Sequence, residues 1–269
     1  MRHVALTIRE GDLNDVLDRL LPIVPQGVHP SPPVDGRIEL DVYGAAPPRA
    51  ELEAAVGAVL LAVAETEASD DPAERRLAAH GRRPPIGGRI VVRPEGAPPA
   101  AEGLLDIVIE DNGGAFGGGT HPTTVMCLEA LLGLEPGGSF ADIGCGTGVL
   151  AIVAGKLGWG PPLIALDHEP AALVATDANA RRNGVEVDAL QADLLAVAPP
   201  PAQTVFANVP VAVHERMATA LSPETRVLVV SGIVEDHVAR VRDAYAGAGL
   251  RLVDHTERRS WVAALLVRS

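Results

Sequence analysis

Aromatic side chains make up only 3% of the 269 residues. A core filled by large rings is therefore excluded. Packing has to come from Ala, Val, Leu and Ile, within a hydrophobic content of 47%. Cysteine occurs twice, at Cys127 and Cys145, too few for a disulfide framework. The expected compartment is accordingly the reducing cytoplasm. Lysine occurs once, at Lys156, while arginine is frequent. With the many Ala, Gly and Pro residues, this reads as coding bias rather than function. Positive charge is in deficit throughout, and the net charge is −13. Phosphate backbones are bound by surplus cations, so direct nucleic-acid binding is not expected. An acidic surface suits a basic protein or a cationic small molecule, or simply solubility. Long apolar runs are missing too. The longest, 54–64, is bounded by Glu53 and Glu65 and is too short to span a bilayer. Residues 1–12 carry Arg2, Arg9, Glu10 and Asp12, which leaves no room for a signal h-region. No membrane partner and no metal are expected.

What the chain does have is concentrated at residues 140–158. An apolar lead-in (Phe140, Ala141, Ile143) runs into Gly144, Gly146 and Gly148, and then into the apolar run Val149, Leu150, Ile152, Val153 and Leu157. The pattern is strand, tight turn, helix, the place where ligands bind beyond the carboxyl ends of strands in open α/β sheets. The dinucleotide fingerprint G-x-G-x-x-G fails by one residue, at Val149. That disfavours a nicotinamide dehydrogenase. Asp142 stands two residues before the first glycine, where it would repel a pyrophosphate but suit a cation. A second acid, Asp167, ends the next strand-like run at 163–167, near the ~20-residue offset of a ribose-binding carboxylate. Glycine turn, leading acid and ribose acid together point to a positively charged nucleoside, S-adenosyl-L-methionine. The competing reading is an ordinary strand-turn-helix corner.

Upstream, residues 3–9 alternate like a strand. Leu13, Val16, Leu17, Leu20 and Leu21 mark one helix face, with Asp12 able to cap it and Pro22 ending it. Residues 37–42 alternate again, Leu52, Val56 and Val59 suggest a second helix, and 59–66 a third strand. This β-α-β-α-β order suggests a small α+β unit, resembling the ferredoxin-like split βαβ, that presents rather than transforms a substrate. A polar stretch follows at 69–88, with Arg75, Arg76, Arg82 and Arg83. It reads as a solvated linker with a short helix at 73–80. Two strand-like runs, 89–93 and 104–110, complete it. The expected division is 1–68, a linker at 69–112, and a ligand-binding domain at 113–269.

That domain opens with Ala115-Phe-Gly-Gly-Gly-Thr-His-Pro-Thr-Thr124. Pro122 can start a helix, and Thr120, Thr123 and Thr124 gather at its N-terminus. Exposed amides there attract a carboxylate, such as the methionyl end of the cofactor. Plain threonine capping is the simpler explanation. Beyond the glycine turn, strands and helices alternate: helix 170–183, strand 186–191, Asp193, strand 203–209, helix 211–221, strand 225–233, helix 234–247. A hairpin at 250–257 and 261–267 ends the series. Such a βα series closed by an antiparallel hairpin is a doubly wound sheet with one reversed strand. Asn208 ends a strand, followed by Val209, Pro210 and Val211. An amide oxygen and backbone carbonyls there can hold a neutral amine, and Pro210 stiffens the turn without a competing N–H. Asn208 also reads as a turn-forming asparagine. Asp193 can bind the adenine amine or cap its own loop. No dedicated base stands out; His121, His214 and Glu215 are the candidates.

Taken together, 115–124, Asp142-x-Gly-Cys-Gly-Thr-Gly-Val-Leu-Ala151, Asn179-Ala-x-x-Asn183 and Ser231-Gly-Ile233 resemble the ribosomal protein L11 methyltransferase family, a group of class I S-adenosylmethionine-dependent enzymes. The resemblance runs from about Ala115 onward, and Trp261-Val-Ala also fits. It implies an α/β fold: a doubly wound, seven-stranded, Rossmann-like methyltransferase sheet with a reversed C-terminal strand, after an N-terminal ferredoxin-like domain. It implies N-methylation of amino groups on a basic ribosomal protein, with Thr124, Gly144, Asp167 and Asn208 at cofactor-contacting positions. The full expectation is Thr120, Thr124, Asp142, Gly144, Gly146, Asp167, Asp193 and Asn208 for the cofactor, with Asn208 and Pro210 at the reacting amine. Gly118 stands where the family usually has threonine, and Val209-Pro-Val211 replaces its usual Ile-Leu-Ala. The alternatives are a small-molecule or peptide amine as substrate, or a nucleoside-binding protein without turnover.

Overall fold

The computed structural model describes residues 2–20, 22–24, 28–30, 33, 36–43, 47–67, 84–110 and 115–268. The helix expected at 73–80 and the linker arginines lie outside the described residues. Two compact units result, one of residues 1–84 with 96–98, the other of 85–95 with 99–269.

The first unit contains, in chain order, β1 (Arg2–Arg9), α1 (Leu13–Leu20), β2 (His29–Pro30), β3 (Arg37–Tyr43), α2 (Arg49–Val56) and β4 (Ala62–Glu67), its strands forming an antiparallel sheet in the order β2-β3-β1-β4. Register sets Val4 opposite Val42, Leu6 opposite Leu40 and Ile8 opposite Ile38. With a side-chain period of two, these six residues share one face, and they bury against Val16, Leu20, Leu52 and Val56. The sequence reading had three strands here. The fourth, β2, is two residues long and contains Pro30, too short to show a period. Asp12 ends a 3-10 turn (Glu10–Asp12) directly before α1 and pairs with Arg9 at 3.5 Å.

The second unit contains β5 (Ile90–Arg93) and β6 (Leu105–Val108), paired in parallel, and a seven-stranded sheet. Its strands are β7 (Phe140–Ile143), β8 (Leu163–Asp167), β9 (Asp188–Gln191), β10 (Thr204–Asn208), β11 (Val227–Val234), β12 (Leu250–Arg258) and β13 (Trp261–Arg268). Spatial order is β12-β13-β11-β10-β7-β8-β9, and β13 alone runs against its neighbours. The helices are α3 (Pro122–Leu132), α4 (Val149–Leu157), α5 (Pro170–Asn183), α6 (Val211–Ala218) and α7 (Val238–Gly247). Both faces are covered at the centre of the sheet, so β7, β8 and β10 are buried on both sides. Phe140, Phe206, Val229 and Leu265 pack on one face with residues of α3 and α4. Their alternates Ala141, Val205, Leu228 and Leu266 pack on the other with Met217, Val241 and Tyr245. In α4, six consecutive residues from Val149 to Ala154 are buried, as suits a helix enclosed on all sides.

The placing of 89–93 and 104–110 in a linker needs correction. Ile90, Ile107 and Ile109 are buried in the core of the second unit. The reason lies in two asparagines. Asn183 donates to the Val108 carbonyl at 2.7 Å and accepts from its N–H at 2.9 Å. Asn179 does the same for Glu110, at 2.9 Å and 3.0 Å. Each side-chain amide thus mimics a strand neighbour and sews the end of β6 to α5.

Candidate cofactor and amine site

The site lies at the carboxyl ends of β7, β8 and β10, which stand side by side in the sheet. The turn after β7 is closed from several directions. Thr147 N–H donates to the Phe116 carbonyl at 2.8 Å, and the Thr147 hydroxyl to the Gly117 carbonyl at 2.9 Å. Asn179 reaches the Thr147 carbonyl at 3.0 Å. Gly146 has φ +53°, and a Cβ there would overlap the Phe116 carbonyl oxygen. No other residue fits at this point, because side chain and backbone would claim the same space.

Asp167 is buried at the end of β8. One oxygen accepts from Gly146 N–H at 3.0 Å, the other from Glu169 N–H at 3.1 Å. It therefore shapes the turn as well as facing it. A carboxylate has about four acceptor positions, so two committed bonds leave capacity for hydroxyls. Asp193 is exposed after β9, where Ala192 N–H meets the Asp167 carbonyl at 3.0 Å. Its Oδ1 accepts from Leu195 N–H at 2.9 Å, a loop-capping bond.

Asp142, read from the sequence as an acid suited to a cation, lies deep beneath the turn. It is fully buried; one oxygen accepts from Ala151 N–H at 3.1 Å in α4, and Oδ1 has no partner. Desolvation, opposed by the Ala151 bond and helped by the charge of Asp167, pushes its carboxyl up to about 7. Thr124 is buried too, its hydroxyl likewise without a partner. The threonines do not cap α3: His121 does, its Nδ1 accepting from Thr123 N–H at 3.3 Å. Thr120 is exposed.

Asn208 is half-buried at the end of β10. A Cβ on Gly144 would stand 3.5 Å from its carbonyl oxygen, so turn and asparagine are neighbours. Its Nδ2 donates to the Thr123 hydroxyl at 3.2 Å, and that hydroxyl lies 2.7 Å from His121 Nδ1. Burial lowers the pKa of His121. A neutral ring accepting at Nδ1 takes the Thr123 proton, so the hydroxyl can only accept from Asn208. This chain orients the carboxamide with its oxygen turned away from Thr123 and available to a donor. Phe116, half exposed, lies edge-on to His121 at 5.0 Å, and His121 edge-on to Trp261 at 5.3 Å. Pro210 is exposed and is the N-cap residue of α6.

Two of the candidate bases are ruled out by their surroundings. His214 is fully buried with both ring nitrogens engaged, to Tyr245 and to the Ser231 carbonyl. Glu215 is held by Arg240 through two bonds, the longer at 2.7 Å. Among the described residues no group of three or more His, Cys, Asp or Glu can hold a metal. The geometry thus brings Asp142, Gly144, Gly146, Asp167, Thr124 and Asn208 to one end of the sheet. The sequence reading did not pick out Thr147, Thr176 and Asn179 as residues that tie down the turn. Thr176 donates to the Gly146 carbonyl at 3.1 Å. An Asn-x-x-x-Asn spacing one helical turn apart was the available signal for the last of these. The residues present fit a nucleoside with a cationic arm: a turn open to backbone contact, a carboxylate with spare acceptor positions, and buried orphan oxygens on Asp142 and Thr124.

Comparison with known proteins accords with this arrangement. The family model described as ribosomal protein L11 methyltransferase (PrmA) matches residues 81–269. The ribosomal protein L11 methyltransferase of Pelotomaculum thermopropionicum is 42% identical over 185 residues, 66% of this chain and 59% of that one. That of Symbiobacterium thermophilum is 40% identical over 198 residues, 71% of this chain and 64% of that one. The chain thus spans about three fifths of the length of the curated relatives it matches. In fold, it is similar to a ribosomal protein L11 methylase from Lactobacillus delbrueckii subsp. bulgaricus, with a TM-score of 0.57 and 24% identity, covering 67% of this chain and 94% of that one. A match over residues 81–269 takes in every element of the site, and the chain belongs to the ribosomal protein L11 methyltransferase family.

Proposed function

We propose that the protein is an S-adenosyl-L-methionine-dependent N-methyltransferase acting on amino groups of a protein, with ribosomal protein L11 as substrate. The observation that carries this is the meeting of the glycine turn, Asp167 and Asn208 within a chain of this family. When bound, S-adenosyl-L-methionine supplies an electrophilic methyl carbon on a sulfonium that departs as a neutral thioether. Asp167 takes the ribose hydroxyls, the amides of the turn and the Thr124 hydroxyl take the methionyl end, and Asp142 offsets its positive charge. Asp193 would meet the adenine amine. The Asn208 oxygen, with neighbouring carbonyls stiffened by Pro210, accepts N–H bonds from the amine and aims its lone pair at the carbon. A lysine amine, with a pKa near ~10.4 in water, must arrive neutral. Desolvation in the site favours that form. With His214 and Glu215 committed elsewhere, and the His121 Nδ1 lone pair taken by Thr123, the proton passes to water, and positioning supplies the rate.

The β-α-β-β-α-β order and the β2-β3-β1-β4 arrangement of the first unit support reading it as a ferredoxin-like domain. We assign it the presenting of the substrate. A ribosomal protein target would place the enzyme in the cytoplasm and needs no direct contact with nucleic acid. The family match begins at residue 81, beyond most of this unit. That favours, as a second reading, the same chemistry on another amine. Incubation with methyl-labelled cofactor and purified L11, followed by mass spectrometry, separates the two. Label on L11 amino groups supports the first. Label only on other peptides or small amines of an extract supports the second. Tight cofactor binding with no transfer to any amine would leave a nucleoside-binding protein and overturn both.

A further inference from the structure

His214 and Tyr245 are fully buried. His214 stands in the first turn of α6, just beyond Asn208-Val-Pro. Its Nε2 lies 2.9 Å from the Ser231 carbonyl oxygen and its Nδ1 3.1 Å from the Tyr245 hydroxyl. A carbonyl only accepts, so Nε2 carries the proton, Nδ1 carries the lone pair, and Tyr245 is the donor to it. Burial pushes the imidazole down to about 4, which keeps it neutral at ordinary pH. The same Ser231 carbonyl accepts Val209 N–H at 3.2 Å. Next to it Gly232 has φ +78°, and a Cβ there would stand 2.6 Å from the Val209 carbonyl oxygen and 2.9 Å from its nitrogen. Ser231 itself is tied to β13 through its hydroxyl, 2.9 Å from the Val262 carbonyl. Val209, the residue after Asn208, is therefore clamped between a fixed carbonyl and a glycine that permits backbone-to-backbone contact.

We propose that His214, held in one tautomer by Tyr245, is a positioning residue that fixes the Val209 backbone and through it the direction in which Asn208 presents its carboxamide. The inference rests on the reading of Asn208 as the amine-facing residue. His214 touches neither substrate nor cofactor. It acts by filling the second acceptor position of the Ser231 carbonyl, so that the Val209 amide has one partner in one place. A mobile Val209 would let the Asn208 oxygen wander, and a displacement of about an ångström at a reacting centre costs on the order of a hundredfold in rate.

Tyr245→Phe tests this most cleanly, since it keeps the ring and removes only the donor. The first readout needs no activity: amide exchange and long-range nitrogen spectra of the full chain without cofactor. The wild type should show His214 as a single Nε2–H tautomer and a protected Val209 amide. In Tyr245→Phe, both tautomers should appear and Val209 should exchange about tenfold faster, with Phe206 and Val229 unchanged. With labelled cofactor and L11, kcat should fall about five- to tenfold while cofactor Kd stays within about twofold. His214→Gln, which retains an N–H donor, should recover part of the kcat lost in His214→Ala. Unchanged Val209 exchange with a single tautomer in Tyr245→Phe overturns the clamp. So does a uniform rise in exchange along β10 and β11, which marks mere loss of stability. If Val209 responds but the wild type methylates nothing, the clamp stands and the proposed function falls. If the wild type is active and Tyr245→Phe matches its kcat, the positioning role falls.

Discussion

Replacing Asp142 with Asn tests the electrostatic design of the site, because the two consequences have opposite signs. The carboxyl is buried and its pKa is raised from 3.8 to about 7. A folded-state pKa above the unfolded one means that the folded chain holds its proton more tightly. Stability is then greatest below the unfolded pKa and is lost as pH rises through about 7. At 1.36 kcal/mol per unit, ionised Asp142 costs the cofactor-free protein roughly 4 kcal/mol. Asn carries no such cost, but its amide would sit where Oδ1 has no partner, losing about 1–3 kcal/mol. The expected result is a variant less stable than wild type below about pH 4, where the carboxyl is protonated in both states, and more stable near pH 8.5, by about 1–3 kcal/mol, or several degrees in melting temperature for a unit of this size. Cofactor binding should show the reverse. A sulfonium or ammonium nearby draws the proton off Asp142, so wild-type affinity should climb with pH up to about 7 and then level off. Asp142→Asn should bind more weakly and without that slope. Melting curves and calorimetry across pH, in buffers of different ionisation heat, read both effects. Parallel stability profiles together with equal, pH-independent affinity would show that Asp142 only supports α4, and the charge argument would be refuted.

The remaining substitutions probe the other walls. Gly146→Ala drives a methyl group into the Phe116 carbonyl at a left-handed backbone position; calorimetry should show cofactor affinity down by about 2 kcal/mol or more. Asp167→Ala frees the N–H groups of Gly146 and Glu169 and, on the proposed reading, removes the ribose acceptor. Affinity should fall by about 1–3 kcal/mol, and an unchanged value would take Asp167 out of the site. Asn208→Ala should lower kcat far more than it changes cofactor Kd, as expected of a contact realised in transfer; the opposite split would make Asn208 a cofactor grip. Phe206→Ala, in the packed face with Phe140 at 5.2 Å, should cost about 3–5 kcal/mol in denaturant unfolding.

The order of elements in the large sheet was readable because its signals are local. Strand-turn-helix at 140–157 and the closing hairpin are each marked within fewer than twenty residues. The glycine turn was legible for the same reason: its conformation demands glycine at fixed spacing. What escaped was anything carried by contacts distant in sequence. Asn179 and Asn183 bind strand ends about seventy positions earlier, so β5 and β6 read as linker until α5 is seen beside them. Asp142 announced its charge but not its depth, since burial depends on α4 folding over it. Two of the candidate bases failed on the same ground. Sequence shows that His214 can take a proton; only packing shows that both its nitrogens are spoken for.

The strand order has a consequence for how the molecule is made. β13 follows β12 in the chain yet lies between β12 and β11. Until residues 261–268 have been synthesised, β11 offers a long, unpaired, valine-rich border, and β12 has nothing to lean on. A nascent or truncated chain halted before Trp261 would expose that border to any other strand nearby, the usual start of aggregation. The last strand therefore acts as the keystone of the sheet.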